Sequence, residues 1–472
     1  MSEFTIEELH PDYLVANIHP DSKYAIIDNK IHFYGEGWGM NSNYFSIQTN
    51  TTDGTNEYTS FDYILKAHAA ELAPNKVRLD GDFSQANYRE KCTITTRDHI
   101  RDHAGIFIDQ SKNITLENVD LHYMHGLGII SQFSENLTYK SVNIAPSRGR
   151  TIAAFADGMH FSGCKGHIEI KDCNIKGLHD DPINVHGTYL EISKIQSPKV
   201  LVMQFMHAQT YGMDAFFEGD TVAFIKKNTL QKVDYAVVQK AKRISEREIQ
   251  IELSKALPKN ITEGDCIENI TWTPSLSVSN CRLEMTNTRG LLVSTPRKVV
   301  IENNHFYRIG MYAILIAADA NSWYESGAVR DVLIRNNKFE SGGYNLYYDN
   351  NSYVIAIEPE NHERADNFWV HRNINIEDNT FIVYPDNLVM KARSVSGLRF
   401  INNNIEESSF VPQFKGREKK SGISPSFKLE NCTKVLIENN KLHLDKSSFQ
   451  VKCLDMKKKD IKLKDKLSIT FN

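Results

Sequence analysis

Three carboxylates lie in one stretch of the chain at a spacing that suits acid–base chemistry. Asp157 is followed 23 residues later by the pair Asp180-Asp181, and three histidines flank them: His160, His179 and His186. Hydrolysis of a glycosidic bond needs such a set, because one protonated acid donates to the leaving oxygen while another, ionised, activates water or attacks carbon. Like charges held close together raise the pKa of one member, which supplies the acid near neutral pH.

The sequence around these residues repeats with nearly the same period. An eight-residue phrase, apolar at its first, third and last positions, starts at Ile114 and again 23 residues later at Leu137. Clear copies begin at Val299, Val332, Ile374, Leu398 and Val435, and weaker ones at Ile114, Leu137, Ile168 and Leu276. Alternating apolar residues predict strands, and Asn or Asp at the fifth position predicts a turn. Strand units repeated at this period predict an all-β fold, a right-handed parallel β-helix.

Stacked turns explain how distant residues can meet. The sixth position of the phrase is Asn in five copies, which predicts an amide ladder if these side chains point inward. A second strand series precedes the phrase in each turn and includes Asp157–Phe161 and Pro182–His186. Residues one turn apart lie about 4.8 Å apart along the axis. We therefore expect Asp157 and Asp180 on adjacent turns, close together on one side of the coil.

The repeat is interrupted once, and it covers only part of the chain. Short strands with polar loops replace it between about Ile192 and Thr273, which predicts an inserted small β-barrel. The predicted organisation is a capping region at 1–104, a first part of the β-helix carrying the candidate site at 105–191, and the inserted module at 192–274. A second part of the β-helix follows at 275–445, and a C-terminal capping strand or tail at 446–472.

Composition excludes several classes of protein. The net charge of −4 gives no basic bias towards nucleic acid, and no apolar run approaches the length of a membrane span. The seven cysteines form no CxxC pair, and no HxH or HExxH spacing occurs, so neither a metal nor another cofactor is expected. The first ten residues show no signal sequence, which leaves open an intracellular protein or a trimmed one. A coil of this kind often associates sideways, so a homo-oligomer is compatible with the fold.

Several segments of the chain resemble a known family, the α-1,3-galactosidases of glycoside hydrolase family 110. The matching segments are AGIFIDQSKNITLENV from Ala104, GLGIISQFSENLT from Gly126, PSRGR from Pro146, ADGMHFSGCKGHIEI from Ala156, HDDPINVHGTYL from His179 and, more weakly, NSWYESGAVRDVLIRNNKF from Asn321. The resemblance implies an exo-acting enzyme that removes terminal α-linked galactose with inversion and needs no metal. It also implies a β-helix with an inserted barrel and a secreted or periplasmic location.

The family's catalytic positions match Asp157, Asp180 and Asp181. We assign Asp180 as the general acid, and Asp157 and Asp181 as the groups that position and deprotonate water. Residues on adjacent turns are about 5 Å apart, which is nearer the carboxylate separation of retaining enzymes than of inverting ones. Inversion therefore requires the acid and the base to be offset sideways from each other. The partner would be an oligosaccharide or glycoconjugate ending in α-galactose. Four residues are candidates for binding it: Asn184, His186, Trp323 and Glu325.

Two other functions remain open. Polygalacturonases also place one Asp and an Asp pair on neighbouring β-helix turns, but they bind uronates and need a cluster of basic residues. Near the carboxylates the sequence offers only Arg148, Arg150 and Lys176 for that purpose. A non-catalytic glycan-binding β-helix would bind sugar tightly without releasing product.

Overall fold

The computed structural model describes residues 1–35, 38–39, 44–98, 101, 103–345, 353–384, 388–410, 426–443, 450–465 and 467–471. The described chain is built almost entirely of strands, with one short helix, α1 (Asp62–Lys66), and a 3₁₀ turn at Lys458–Asp460. Among these residues no helix is long and apolar enough to cross a membrane.

The N-terminal strands form a separate antiparallel sheet in the order β7-β6-β10-β1-β2-β9-β8, with β3, β4 and β5 beside it. Their bounds are β1 (Ser2–Leu9), β2 (Tyr13–Ile18), β3 (Tyr24–Ile27), β4 (Lys30–Gly35), β5 (Trp38–Gly39), β6 (Tyr44–Asn50), β7 (Asn56–Thr59), β8 (His68–Ala73), β9 (Lys76–Asp80) and β10 (Cys92–Asp98). The sheet encloses its own apolar core around Phe4, Phe33 and Ile64. It meets the coil through buried Glu3, which accepts hydrogen bonds from the Thr151 backbone and pairs with Arg150 at 3.0 Å.

The next strands begin the coil, which is interrupted by five strands of an insertion. The first group is β11 (Ala104–Asp109), β12 (Lys112–Leu121), β13 (Leu127–Gln132), β14 (Glu135–Ile144), β15 (Met159–Ser162), β16 (Lys165–Lys171), β17 (Asn174–Leu178) and β18 (Ile183–Ser197). The insertion is β19 (Val200–Gln204), β20 (Thr221–Lys226), β21 (Gln231–Arg243), β22 (Glu248–Leu253) and β23 (Cys266–Asn269).

The coil then resumes and continues to the C-terminus. Its strands are β24 (Ser275–Ser279), β25 (Arg282–Thr286), β26 (Leu291–Ser294), β27 (Lys298–Glu302), β28 (His305–Tyr307), β29 (Ile314–Ile316), β30 (Glu325–Ser326), β31 (Asp331–Arg335), β32 (Lys338–Glu340), β33 (Tyr353–Ile357), β34 (His371–Glu377), β35 (Thr380–Val383), β36 (Leu388–Arg393), β37 (Val395–Ile401), β38 (Asn404–Glu407), β39 (Phe427–Glu430), β40 (Thr433–Glu438), β41 (Lys441–His443), β42 (Gln450–Leu454), β43 (Ile461–Leu463) and β44 (Ser468–Phe471).

Parallel pairing between successive turns confirms the predicted β-helix. Each copy of the eight-residue phrase pairs with the next: Ile114 faces Leu137, and Leu276 faces Val299. Ile168 pairs directly with Leu276 across the insertion, so the coil continues as if the insertion were absent. The apolar positions of the phrase point inward and form the main core of the molecule.

The corner of each turn is set by the fifth position of the phrase. These residues adopt the left-handed conformation, which Asn and Asp tolerate better than most side chains. Their φ values lie between 52° and 59°: Asn118, Ser141, Asp172, Asn280, Asn303, Asn336, Asp378, Asn402 and Asn439. The bend turns the sixth side chain into the core. There the predicted amide ladder forms, with Asn337 donating to Asn379 at 3.0 Å and Asn379 donating to Asn403 at 3.0 Å.

The insertion closes into a barrel, as predicted. Strand β18 leaves the coil and pairs antiparallel with both β19 and β23, and the remaining strands complete the ring in the order β19-β22-β21-β20-β23. The first barrel strand is therefore a continuation of a coil strand, and barrel pairing begins at Tyr189 opposite Glu268. Since β18 also carries Asn184 and His186, one continuous strand joins the candidate site to the barrel.

Candidate active site

Two successive turns of the coil bring Asp157 close to the Asp pair. Strands β15 and β18 run in parallel with Met159 opposite Ile183, an offset of 24 residues (183 minus 159). Continuing that register places Asp157 opposite Asp181. Asp157 and Asp180 are close together, as the sequence spacing predicts, with oxygens within 4.8 Å. The residue directly opposite Asp157 is Asp181, because this turn is one residue longer than the 23-residue period.

The three carboxylates form one cluster. Asp157, Asp180 and Asp181 each present an oxygen, and these atoms lie within 4.8 Å of one another. The Asp180 side chain is 14% exposed, compared with 6% for Asp157 and 0% for Asp181. Asp180 is therefore the most exposed of the three carboxylates. The structure brings together the residues that the sequence singled out, and their catalytic roles stay predictions.

Two arginines that sequence reasoning missed hold the Asp pair. Arg289 donates to Asp181 through Nε at 3.1 Å, Nη2 at 2.7 Å and its backbone N–H at 3.2 Å. Its Nη2 also lies 3.4 Å from Asp180 Oδ1. Arg101 donates from Nη2 to Asp180 Oδ2 at 2.7 Å. Buried carboxylates need such partners, since an unpaired charge in the interior is strongly destabilising.

The position of Arg289 beside Asp181 could have been predicted from the register of the coil. Ile168 pairs with Leu276, an offset of 108 residues (276 minus 168). Adding 108 to 181 gives 289, so the repeat carried across the insertion places Arg289 beside Asp181. Arg101 precedes the repeat, and no pattern in the sequence connects it to the site.

Arg101 and Arg289 bear on the polygalacturonase alternative, because an enzyme that binds uronates needs basic residues near its catalytic carboxylates. Of the basic residues considered from sequence, Arg150 pairs with Glu3 and Lys176 lies 3.6 Å from Glu284, both away from the carboxylates. Basic residues do reach the cleft, contrary to the sequence-based expectation. Both nevertheless donate to the Asp pair, so their guanidinium groups neutralise the protein's own carboxylates.

A chain of hydrogen bonds runs from Asp157 through two histidines. His186 Nδ1 lies 2.6 Å from the Gly187 carbonyl, so this nitrogen carries a proton and donates it. In the neutral ring Nε2 is then an acceptor, and it lies 3.0 Å from His160 Nε2, which must donate. His160 Nδ1 lies 2.6 Å from Asp157 Oδ2. A second proton therefore sits between His160 and Asp157.

The pKa shifts indicate where that proton resides. Burial alone would lower the pKa of His160, but the hydrogen bond to Asp157 and its charge outweigh burial and raise this pKa. Burial would raise the pKa of Asp157, but His160, followed by Arg101 and Arg289, holds it below its usual value. Both shifts favour the ionised form of Asp157 and the protonated form of His160.

The Asp pair behaves differently. Burial, opposed by the charge of Arg289 and reinforced by the charges of Asp180 and Asp157, raises the pKa of Asp181 to about 8. At neutral pH the cluster therefore favours an ionised carboxylate at Asp157 and a protonated one at Asp181.

Three of the four predicted binding residues lie next to Asp157. Asn184 is buried, and its Nδ2 lies 3.4 Å from Asp157 Oδ2 and 3.3 Å from Glu325 Oε1. His186 Nε2 lies 3.5 Å from the same Glu325 oxygen. Strand β30, which carries Glu325, pairs with β18 at Thr188. These outward-facing side chains are thereby covered and held at fixed positions.

Trp323, the fourth, lies at the rim of the cleft. It is 38% exposed, and the Arg101 guanidinium that binds Asp180 lies 5.7 Å from the centre of its ring. The buried carboxylate of Asp319 accepts hydrogen bonds from the backbone N–H groups of Asn321, Ser322 and Trp323, which fixes the loop. His207 of the inserted barrel stacks on the indole at 3.8 Å.

Within the described part of the chain, the oxygen atoms of Asp157, Asp180 and Asp181 also lie close enough together to hold a cation. Hard cations such as Ca²⁺ and Mg²⁺ take carboxylate oxygens as ligands. In this cluster Arg101, Arg289 and His160 already donate to the same carboxylates and supply positive charge. The donor set therefore fits an acid–base site with internal counter-charges better than a metal centre.

Comparison with known proteins agrees with this architecture. Two family models match the chain: GLAA-B beta-barrel domain I over residues 2–89, and GLAA-B beta-barrel domain II over residues 200–267. Among solved structures, PfbA, a surface adhesin of Streptococcus pneumoniae, matches with a TM-score of 0.38 and 12% identity over 73% of this chain and 62% of that chain. At that score the likeness carries no argument, and the fold is established by the strand pairing.

Curated relatives match over nearly the full length of the chain. Alpha-1,3-galactosidase A of Bacteroides fragilis is 43% identical over 95% of this chain and 73% of its own. Alpha-1,3-galactosidase B of Bacteroides thetaiotaomicron is 39% identical over 96% and 73%, and the B protein of Phocaeicola vulgatus is 34% identical over 92% and 74%. The strand pairing shows a β-helix, and these relatives support a glycoside hydrolase. The chain belongs to the α-1,3-galactosidase family, glycoside hydrolase family 110, which confirms the resemblance.

The pairing of Arg289 with buried Asp181 can be tested by double substitution. We expect Arg289→Leu to lower the free energy of unfolding by about 3–5 kcal/mol, because it leaves a buried carboxylate without its partner. Adding Asp181→Leu should restore much of that loss. Urea unfolding followed by fluorescence measures both.

A matched control is Arg335→Leu, which removes a 2.7 Å ion pair with Glu302 made by an arginine side chain that is 43% exposed. Exposed pairs of this kind contribute about 0–1 kcal/mol. Equal losses for Arg289→Leu and Arg335→Leu, or no recovery in the double variant, would contradict the assigned pairing.

Proposed function

We propose that this chain hydrolyses terminal α-1,3-linked galactose from oligosaccharides or glycoconjugates, with inversion at the anomeric carbon. The observation that carries the proposal is the cluster of three carboxylates within 4.8 Å, set between a rim tryptophan and a covered polar wall. The bond and the sugar are taken from the names of the relatives. Blood-group-B-like branched chains and linear Gal-α-1,3-Gal are both candidate substrates, and glycans of this kind fit a secreted or periplasmic location, which fractionation of the host cell would test.

Asp180 is the proposed general acid. Its side chain is the most exposed of the three, and it lies beside Asp181, whose pKa burial raises to about 8. Arg101 fixes one Asp180 oxygen at 2.7 Å, which orients the carboxyl group. A general acid must be protonated before the leaving oxygen departs, and the raised pKa of Asp181 keeps a proton beside Asp180 at neutral pH.

Asp157 and Asp181 are the proposed holders of the attacking water. They stand on neighbouring turns in register, so a water that donates to Asp157 would lie beside Asp181, which would help to position it. Asp157 is the ionised member, and the proton that it removes from water would be held on its own carboxyl group, which stays hydrogen-bonded to His160. Asp181 engages both of its oxygens with Arg289 and has no exposed side-chain surface, which disfavours it as a nucleophile towards carbon.

The galactose itself would bind against the wall formed by Asn184 and Glu325. The Oδ1 atom of Asn184 is buried and has no hydrogen-bond partner in the described part of the chain, so it can accept from a sugar hydroxyl. Glu325 is an acceptor beside it, with its side chain 15% exposed. Trp323, 38% exposed, would contact the apolar side of the sugar with the part of its indole that His207 does not cover.

Retention is a second candidate outcome, because one measurement favours it. Oxygens within 4.8 Å are closer than the separation of about 6.5–9.5 Å usual for inverting enzymes and nearer the roughly 5–5.5 Å of retaining ones. We expect inversion nonetheless, because Asp181 is enclosed by Arg289 and Asp157 by His160 and Asn184. Proton NMR during the first minutes of hydrolysis should show β-galactose as the first product. Initial accumulation of α-galactose would overturn inversion.

The acid role of Asp180 can be tested by Asp180→Asn. On Gal-α-1,3-Gal we expect a loss of roughly 10²–10⁴-fold in kcat, the usual contribution of a general acid. On a dinitrophenyl α-galactoside the loss should be much smaller, because that leaving group departs without a proton. Asp378→Asn, at a coil corner where Asn recurs in other turns, is the matched control and should keep full activity.

Galactose release by the unaltered protein separates the three functions left open by the sequence. Release from Gal-α-1,3-Gal without release from polygalacturonate supports the proposal, whereas the reverse supports a polygalacturonase-like enzyme. Binding of the disaccharide without release of product supports a glycan-binding coil. Asp180→Asn retaining most activity on Gal-α-1,3-Gal would refute the acid assignment while leaving the activity itself intact.

A further inference from the structure

The inserted barrel reaches the candidate site through one of its loops. The loop between β19 and β20 carries His207, whose ring stacks on Trp323 with centroids 3.8 Å apart and planes inclined by 29°. Trp323 in turn lies beside Arg101, which binds Asp180 at 2.7 Å. The wall of the cleft is therefore built jointly by the coil and by the barrel.

An arginine fixes this loop and extends the surface away from the site. Arg247 donates from Nη1 to the His207 carbonyl and from Nη2 to the Ala208 carbonyl, both at 3.2 Å. The face of the same guanidinium lies 4.1 Å from the ring centre of Tyr211. A continuous series of contacts thus leads from Asp180 through Trp323 and His207 to Tyr211.

The series ends at an open cavity of about 480 Å³ on the barrel. It is lined by Tyr211, Gly212, Arg243, Ile244, Ser245 and Glu246. Tyr211 is 44% exposed and Ile244 46%, and Met206 on the same loop is 39% exposed. Large apolar side chains with this much exposure, grouped on one surface, mark binding sites more often than isolated ones do.

The chemistry of this surface suits a carbohydrate. A flat aromatic ring such as Tyr211 can cover the apolar face of a sugar ring while its hydroxyl remains available for hydrogen bonding. Ser245 and Glu246 add polar groups that can bond to sugar hydroxyls, and Ile244 supplies an apolar contact on the other side. A concave surface with apolar walls and a few polar groups is the usual composition of a small-molecule subsite.

We propose that the cavity beside Tyr211 and Ile244 is a distal subsite for the remainder of the glycan whose terminal galactose lies at Asp180. The inference rests on the proposed function and gives the inserted barrel a role in it. The occupant is the same oligosaccharide chain, because the contact series joins the cavity to the carboxylate cluster without a break. The barrel then favours extended glycans over short ones by adding contacts beyond the cleaved bond.

The experiment compares two exposed tyrosines of the barrel. Tyr211→Ala removes the proposed platform, and Tyr235→Ala is the matched control, since Tyr235 is 46% exposed and lies outside the lining of the cavity. Ile244→Ala tests the opposite wall independently of the loop. Each variant is assayed on a nitrophenyl α-galactoside, which has no extension, and on an α-1,3-galactose-terminated hexasaccharide.

We expect Tyr211→Ala to raise KM for the hexasaccharide about tenfold, as loss of an aromatic contact at a binding hot spot does, with kcat unchanged. Ile244→Ala should raise it in the same direction, and the aryl galactoside should be unaffected by either. Tyr211→Ala indistinguishable from Tyr235→Ala on the hexasaccharide, or equal changes on both substrates, would overturn the subsite.

Failure of the proposed function is recognised separately. If the unaltered protein releases galactose from neither substrate, the hydrolase assignment fails, and the subsite is then judged by binding. Calorimetric titration of the hexasaccharide into Asp180→Asn protein, with and without Tyr211→Ala, measures that binding directly. Weaker binding caused by Tyr211→Ala supports the subsite, and equal binding contradicts it.

Discussion

Parallel in-register pairing between successive turns is the constraint on which the rest of this molecule depends. It fixes the axial separation of equivalent residues at about 4.8 Å, whatever the length of chain between them. Asp157 and Asp181 meet through one turn, whereas Asp181 and Arg289 meet across the whole inserted barrel, because Ile168 pairs directly with Leu276. In the coil, the strand register and not the distance along the sequence determines which residues are neighbours. A cluster can therefore be assembled from segments more than one hundred residues apart.

Charge compensation is the second requirement, because the cluster is buried. Three carboxylates lie beside two guanidinium groups and one imidazole. Arg101 binds Asp180, Arg289 binds Asp181, and His160 binds Asp157. His160 favours the ionised form of Asp157, while burial and the neighbouring like charges favour a proton on Asp181. One arrangement of opposite charges therefore holds the site together and also separates the base from the acid. The cost of burying these groups explains why their partners are so closely placed.

Much of the coil followed from the sequence because its physical signals are local and repeated. The phrase beginning at Val299 and its copies specified inward apolar positions, the left-handed corner at Asn303 and the ladder position at Asn304, and the structure has each of them. The barrel was predicted as an insertion, but its first strand was not, because the alternating pattern of β18 runs from the coil into the barrel without a break.

The site was less predictable than the coil, because several of its residues lie where no local or repeated signal marks them. Asp157, Asp180 and Asp181 were visible as a constellation of residue types at a repeating distance. Asp157 and Asp180 are close together as predicted, but the residue directly opposite Asp157 is Asp181, since a single extra residue in one turn shifts the register. Arg101 and His207 reach the cleft from segments outside the repeat, where only tertiary packing determines position. Arg289 lay within reach of the repeat but required the register to be carried across the insertion.

The central claim is that the stacked turns place all three carboxylates around one bound galactose. A crystal structure of Asp180→Asn protein with intact Gal-α-1,3-Gal tests it most directly. The account predicts the non-reducing galactose between Trp323 and Asn184, the glycosidic oxygen within hydrogen-bonding distance of residue 180, and a water shared by Asp157 and Asp181 on the opposite side of the anomeric carbon. A disaccharide bound elsewhere on the coil, or an Asp157 carboxylate turned away from the sugar, would contradict it.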